Sequence, residues 1–237
     1  MLPIGDENPS YSRPIVNYAL IAVNVAVFIY EFLLPENAFE DLIQAYGFVP
    51  SRFSSGLTLA AIITVFTSMF LHADILHILG NMLYLYIFGD NIEDAMGHIP
   101  YLIFYLFCGI TSSAFQYLTD TSSSIPSIGA SGAISGVLGA YILLYPRARV
   151  RTIIFLGFFF TYVKIPALAY LGIWFVYQIL YASVPEVSGV AYWAHIGGFL
   201  TGIVIMKLYP WKRKPPPPPP PPPPFYPAPE MPPPYRI

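Results

Sequence analysis

The chain has 237 residues, of which 56% are apolar, 17% aromatic and only 10% charged, with a formal net charge of −2. Soluble domains carry about 25% charged residues, so this composition excludes an ordinary soluble domain and describes an integral membrane protein. The near-neutral balance offers nothing to nucleic acid, and a single cysteine, Cys108, excludes an internal disulfide and a cysteine metal cluster.

In chain order, residues 1–14 form a polar, proline-bearing cytoplasmic segment. It has no basic stretch before a short apolar core and no small-residue cleavage site, so no removable signal peptide is expected. A spanning helix needs about 20 mostly apolar residues, because the backbone must satisfy its own hydrogen bonds across the hydrocarbon. Six stretches meet this need: 17–34, 72–89, 101–118, 127–145, 166–183 and 190–209. Two apolar runs are left. Residues 57–71 abut the second span without a turn or charge block and are expected to dip into the membrane as part of the first loop. Residues 153–163 are closed by Lys164, Ile165 and Pro166, which favours an interfacial or re-entrant segment; counting both runs as spans would give eight. The expected fold is therefore an all-α polytopic membrane protein, a six-transmembrane-helix bundle over 15–211 with a membrane-dipping first loop.

Basic residues orient the spans, since short cytoplasmic loops hold the Lys and Arg excess. Arg147, Arg149 and Arg151 follow the fourth span and Lys212, Arg213 and Lys214 the sixth, whereas the loops after the first, third and fifth spans hold only Arg52. Both termini are thus expected in the cytoplasm, and the even-numbered spans all begin at the outer face. His77, Ser131 and His195 then lie four or five residues into their spans, roughly 6–8 Å below the outer surface at a rise of about 1.5 Å per residue.

These residue types suit acyl transfer. A serine hydroxyl attacks a carbonyl only if a neighbour takes its proton, and imidazole titrates in the right range to do so. Ser131 and His195 are the candidate dyad. No Asp or Glu lies in the last three spans, so no third carboxylate is available, and Tyr192, Trp193 or water is left to orient His195. His77 and Asn81 share one helix face and can aim donors at a developing oxyanion, as can the Ser131 backbone N–H near a helix N-terminus. Interhelical hydrogen-bonding glue is the competing reading for His77 and Asn81. Ser131 also lies among small residues suited to close helix packing; Gly129 and Gly132 on the fourth span answer Gly198 and Gly202 on the sixth. Packing of that kind would bring Ser131 to His195 rather than compete with it. Cys108 reads as a small lipid-phase packing residue. His72 is expected at the interface, and His98 in a short cytoplasmic loop with Asp90, Glu93 and Asp94. No H-E-x-x-H helix or paired intramembrane aspartate supports metal chemistry, and no cofactor is implied.

The stretches 72–81 (HADILHILGN), 129–132 (GASG) and 194–198 (AHIGG) together resemble the rhomboid family of intramembrane serine proteases, in order and spacing, over about residues 15–210. The resemblance implies a six-helix fold, Ser131 as nucleophile and His195 as base, with Asn81, His77 and the Ser131 N–H around the oxyanion. It also implies a transmembrane-helix substrate cut near its outer end. Two positions depart from the pattern. The Trp-Arg pair that many members carry in the first loop is replaced by residues 62–66 (IITVF), and Ser135 stands where some members place an aromatic on the catalytic histidine.

The functional expectation is a serine endopeptidase of the cell membrane, with its site open to the exterior and lipid and transmembrane proteins as its partners. The alternatives are a non-catalytic relative that binds or escorts membrane helices and, less favoured, a transporter, for which Glu31 alone offers an acidic group well inside the first span. Residues 212–237 form a basic then proline-rich tail whose ten prolines, 215–224, read as a polyproline II spacer or as a ligand for a cytoplasmic polyproline-binding partner.

Overall fold

The computed structural model describes residues 1–157, 159–184 and 189–208; the reading of the tail as polyproline II falls outside them. In chain order the elements are strand β1 (Leu2–Asp6), helices α1 (Ile15–Phe32), α2 (Glu36–Tyr46), α3 (Pro50–Ser55), α4 (Leu59–Thr67), a 3-10 turn (Ser68–Phe70), α5 (Ile75–Met96), α6 (His98–Thr119) and α7 (Ser131–Leu144), strands β2 (Arg149–Leu156) and β3 (Phe159–Pro166), and helices α8 (Ala167–Ala182) and α9 (Tyr192–Leu208). By length and hydropathy α1 and α6 can each cross a membrane. α4 with its 3-10 turn and α5 pass the same test as a pair bent by 81°, and α7, α8 and α9 are shorter apolar helices. Not all of the six expected stretches therefore reach spanning length as helices among the described residues. α7 starts at Ser131 rather than 127 because the residues before it are held as extended chain: Ser127 forms an antiparallel bridge with Phe48, and Gly129 adopts φ +119°.

α1 begins after Pro14, which cannot cap it with a side chain. The free first-turn amides are instead met by a carboxylate from another helix: Val16 and Asn17 donate to Glu93 Oε1 and Oε2 at 2.9 and 2.7 Å. A negative group at a helix N-terminus satisfies orphan donors and the helix dipole together. The rest of the N-terminal segment is strapped to the same end of α5. Ser10 donates to Asp90 at 2.9 Å, and the Tyr11 and Ser12 amides donate to Asp94 at 3.1 and 2.9 Å. His98 is the first residue of α6, with Nδ1 on Glu93. The expected cytoplasmic loop is thus reduced to Gly97, and its acids serve as helix and strap acceptors.

The sheet corrects the all-α expectation. The run 153–163, expected as an interfacial or re-entrant segment, belongs to an antiparallel hairpin that turns at Gly157, with β1 as a third strand in the order β1-β2-β3. A run of β-branched and aromatic residues too short to span as a helix satisfies its backbone by pairing instead. Lys164 reaches Glu7 at 2.5 Å, and this hydrogen bond holds the Glu7 carboxyl below the usual carboxylate range.

The core is built from Leu85, Phe88, Ile92, Tyr101, Tyr105 and Tyr141, all fully buried. Beside it α7 packs on α9 through glycine: a Cβ at Gly198 would overlap the Gly132 carbonyl oxygen, and one at Gly202 the Gly136 carbonyl. Cys108 lies inside the bundle rather than against lipid, with its Sγ where a Gly136 side chain would stand. Gly198→Leu is expected to force the two backbones apart and cost about 1–3 kcal/mol, typical of an overpacked core. Thermal unfolding in detergent would register this as a lowered midpoint, while Leu200→Ala, on an exposed position of the same helix, leaves the midpoint nearly unchanged.

Candidate active site

Ser131 is the first residue of α7, so its backbone N–H has no acceptor within the helix. The loop that delivers it is fixed at two points. The Phe48 and Ser127 amides exchange hydrogen bonds with each other's carbonyls at 3.1 and 2.8 Å, and the Gly129 amide donates to the Ser68 carbonyl at 2.8 Å. Ser131 Oγ then lies 2.7 Å from His195 Nε2, on the first turn of α9. The two residues are 64 positions apart in the chain, and the glycine contacts between α7 and α9 let them meet.

On its far side His195 is held by a residue that sequence reasoning missed. His195 Nδ1 lies 2.8 Å from Gln178 Oε1 on α8, while Gln178 Nε2 donates to the Trp174 carbonyl at 3.2 Å. That second bond fixes which way the carboxamide points. Oε1 is left as acceptor, so Nδ1 carries the imidazole proton and Nε2 is the free base facing Ser131. Tyr192 meets the ring edge-on at a centroid distance of 6.3 Å, and Trp174 lies 6.1 Å away; Trp193 makes no ring contact with it among the described residues. Ser135, standing where some members place an aromatic, donates its hydroxyl to the Ser131 carbonyl at 2.7 Å, one turn back. A glutamine within an apolar stretch, costly to bury unless bonded, was the signal that could have marked position 178.

The donors gather on α5. Asp74 caps this helix, its carboxylate accepting from the His77 amide at 2.8 Å. The Ala73 amide approaches His77 Nδ1 at 3.3 Å, so the ring proton resides on Nε2. A Cβ built on Gly129 would lie 2.6 Å from that Nε2 and 3.6 Å from Ser131 Oγ. The bare glycine keeps open the space between the two. Asn81 sits one turn further along, buried, and its Nδ2 has no hydrogen-bond partner among the described residues. Ser131, His195, His77 and Asn81 all line one cavity of about 1080 Å³. Of the four glycines singled out in the sequence, Gly132 and Gly198 pack against each other at the site and Gly202 packs a turn deeper, whereas Gly129 faces His77.

Two further residues back the α5 entrance. His72, expected at the interface, is fully buried, and its ring meets that of His77 at 5.0 Å. Its amide donates to both carboxylate oxygens of Glu31, at 3.3 and 3.2 Å, which ties the end of α1 to the start of α5. Among the described residues no group of three or more His, Cys, Asp or Glu side chains is placed to hold a metal ion.

A helical integral membrane protein with a half-buried serine and histidine in hydrogen-bond contact is the class that this fold and site define. Residues 60–212 match the Rhomboid domain, and the chain belongs to the rhomboid family. It is 29% identical over 206 residues to the mitochondrial Rhomboid protein 1 of Saccharomyces cerevisiae, covering 82% of this chain and 52% of that protein. It is 33% identical over 151 residues to the mitochondrial RHOMBOID-like protein 12 of Arabidopsis thaliana, covering 57% and 43%. It is 30% identical over 190 residues to the rhomboid protease GluP of Bacillus subtilis, covering 80% and 34%. The chain thus spans about half or less of the length of these relatives.

Loss of the Gln178 acceptor should free the imidazole to turn. Gln178→Leu is expected to slow labelling of Ser131 by a fluorophosphonate about tenfold, the equivalent of one hydrogen bond worth about 1.4 kcal/mol. Gln178→Glu keeps an acceptor at Oε1 and should retain most of the labelling rate; equal loss in both variants would show that the amide does not hold the ring.

Proposed function

We propose that the protein is an intramembrane serine endopeptidase that cuts transmembrane segments of other membrane proteins near the face where α5, α7 and α9 begin. The observation that carries this reading is the 2.7 Å contact between Ser131 Oγ and His195 Nε2, with Nδ1 of the same ring engaged by Gln178. Ser131 attacks the scissile carbonyl while His195 Nε2 takes its proton. The oxyanion that forms is met by Nδ2 of Asn81, Nε2–H of His77 and the Ser131 backbone N–H. His195 then gives its proton to the leaving amine, and water, activated by the same ring, hydrolyses the acyl-enzyme. The scheme needs no metal or cofactor. The Bacillus subtilis relative is itself a rhomboid protease, which agrees with this chemistry.

The substrate on this reading is a membrane helix, which fits a cavity lined in part by Phe28, Phe32 and Leu76 of the apolar helices. A peptide bond in an intact helix has its carbonyl bonded and shielded, so segments with small or helix-weakening residues near the interface unwind most readily into the site. We assign six crossings, to α1, α5, α6, α7, α8 and α9, with 57–71 dipping into the membrane beside them. The chain divides into an N-terminal segment 1–14, a protease unit 15–211 and a tail 212–237. β1 and the β2–β3 hairpin share one sheet, which supports placing the N-terminus and Arg147, Arg149 and Arg151 on one side. The basic excess supports a cytoplasmic placement of that side, and we assign the protein to the cell membrane with the site open to the exterior.

Ser131→Ala and His195→Ala should each abolish cleavage of a single-pass substrate in proteoliposomes while the protein stays folded, and Asn81→Ala should lower kcat about 100-fold, as loss of one oxyanion donor does. A fluorophosphonate should label the unaltered protein and not Ser131→Ala. Cleavage retained by purified Ser131→Ala would sink the reading, and an unlabelled, inactive but folded protein would favour a helix-binding relative instead.

A further inference from the structure

The β2–β3 hairpin is not used by the chemistry, and its two ends differ in character. At its root Val150 and Thr152 are fully buried against the bundle, and on the opposite face Arg149 and Arg151 are exposed, with Arg151 paired across the strands with Lys164. Towards the tip, residues 152–163 contain no charged side chain. The register places Ile153 with Tyr162 and Phe155 with Phe160 on one face, and Ile154 with Thr161 on the other, the face that also carries Phe159. Phe155, Phe159, Phe160 and Tyr162 are exposed by 61, 78, 73 and 48%. A strand pair that docks on a protein covers one face and leaves the other polar. A tip that is apolar and aromatic on both faces is suited to immersion.

The root fixes what it can be immersed in. Both strands connect directly to membrane helices, β2 after the end of α7 and β3 into α8, so the hairpin leaves the bundle at the bilayer edge. From Thr152 the tip extends four residues, about 13 Å at about 3.3 Å per residue, which exceeds the 5–10 Å depth at which interfacial segments lie. The charges match as well: Arg147, Arg149, Arg151 and Lys164 outnumber Asp6 and Glu7 at the root, and Lys164 is the one paired with Glu7. We propose that the hairpin tip is seated in the interfacial layer of the leaflet nearest the N-terminal strand, with Arg147, Arg149 and Arg151 against anionic lipid headgroups. The hairpin thus anchors the α7–α8 connection to the bilayer. This inference does not rest on the reading of the Ser131–His195 site.

The test uses the full chain in vesicles of phosphatidylcholine with or without phosphatidylglycerol. Cys108 is fully buried, so Phe160→Cys places an environment-sensitive NBD label on the tip alone, with the unsubstituted protein as the labelling control. Phe155→Cys gives a second, independent position. The expected result is a blue-shifted emission, quenched severalfold more by lipids carrying a nitroxide near the headgroup than by iodide present on both sides of the vesicle. Phosphatidylglycerol should strengthen the lipid quenching, and Arg149→Gln with Arg151→Gln should remove that gain. Free quenching by iodide in both lipid mixtures overturns the proposal, because the tip is then in water. Protection from both quenchers overturns it too, because the tip is then covered by protein, such as a second copy paired along β3. A phosphatidylglycerol effect unchanged in the double arginine variant overturns the headgroup contact.

Discussion

Contact between the backbones of α7 and α9 is the constraint on which the site depends. Side chains at Gly132 and Gly198 would hold the helix axes farther apart, and a serine hydroxyl is too short to bridge the gap to an imidazole on the neighbouring helix. Small residues substitute here for the hydrophobic effect, which gives no drive for helix association when the surrounding lipid is as apolar as the helices. Close packing supplies the dispersion contacts, and the same closeness sets the 2.7 Å distance between Ser131 and His195. Stability and site geometry therefore share one contact, so a change that loosens it acts on both.

Buried carboxylates secure the other side of the cavity. Glu93 caps α1 from the far end of α5, and Glu31 at the opposite end of α1 holds the His72 amide just before α5 begins. α1 is thereby fastened to the α5 segment at both ends, although its own face toward the bundle is sparsely buried. Ala73 and Asp74, which orient the His77 ring and its helix start, follow immediately after the residue that Glu31 holds. An apolar helix gains little from lipid by packing in one rotation rather than another; hydrogen bonds to the carboxyl groups at its two ends favour one.

Ser131, His195, His77 and Asn81 stood out in the sequence because each is a polar residue near the start of an apolar run, and the structure brings all four to one cavity. Gln178, four residues from the C-terminal end of α8, is likewise a polar residue in an apolar run, yet no motif surrounds it, and only the fold reveals that its partner is His195. The hairpin was illegible for a different reason. A short apolar run has the same periodicity whether it is a buried helix or a strand, and β1, the strand that completes the sheet, lies some 150 residues earlier. Helix starts were misplaced where tertiary contacts hold residues extended, as the Phe48–Ser127 bridge does ahead of Ser131.

The choice of an amide at position 178 has a physical logic. A carboxylate there would hold the imidazole in the same tautomer and, in the proposed reaction, would also stabilise the imidazolium that forms when Ser131 gives up its proton. In a site walled by apolar helices, however, an ionised group without a counter-charge carries a desolvation cost of several kcal/mol in the resting state. Gln178 supplies the orienting acceptor without that charge, and its own amide is satisfied locally by the Trp174 carbonyl, so nothing else must be buried to support it. In the proposed reaction, what a neutral acceptor gives up in transition-state stabilisation falls to the donors assigned to the oxyanion. That division fits the proposed reaction, since Asn81, His77 and Ser131 line one cavity while a single neutral group stands behind His195.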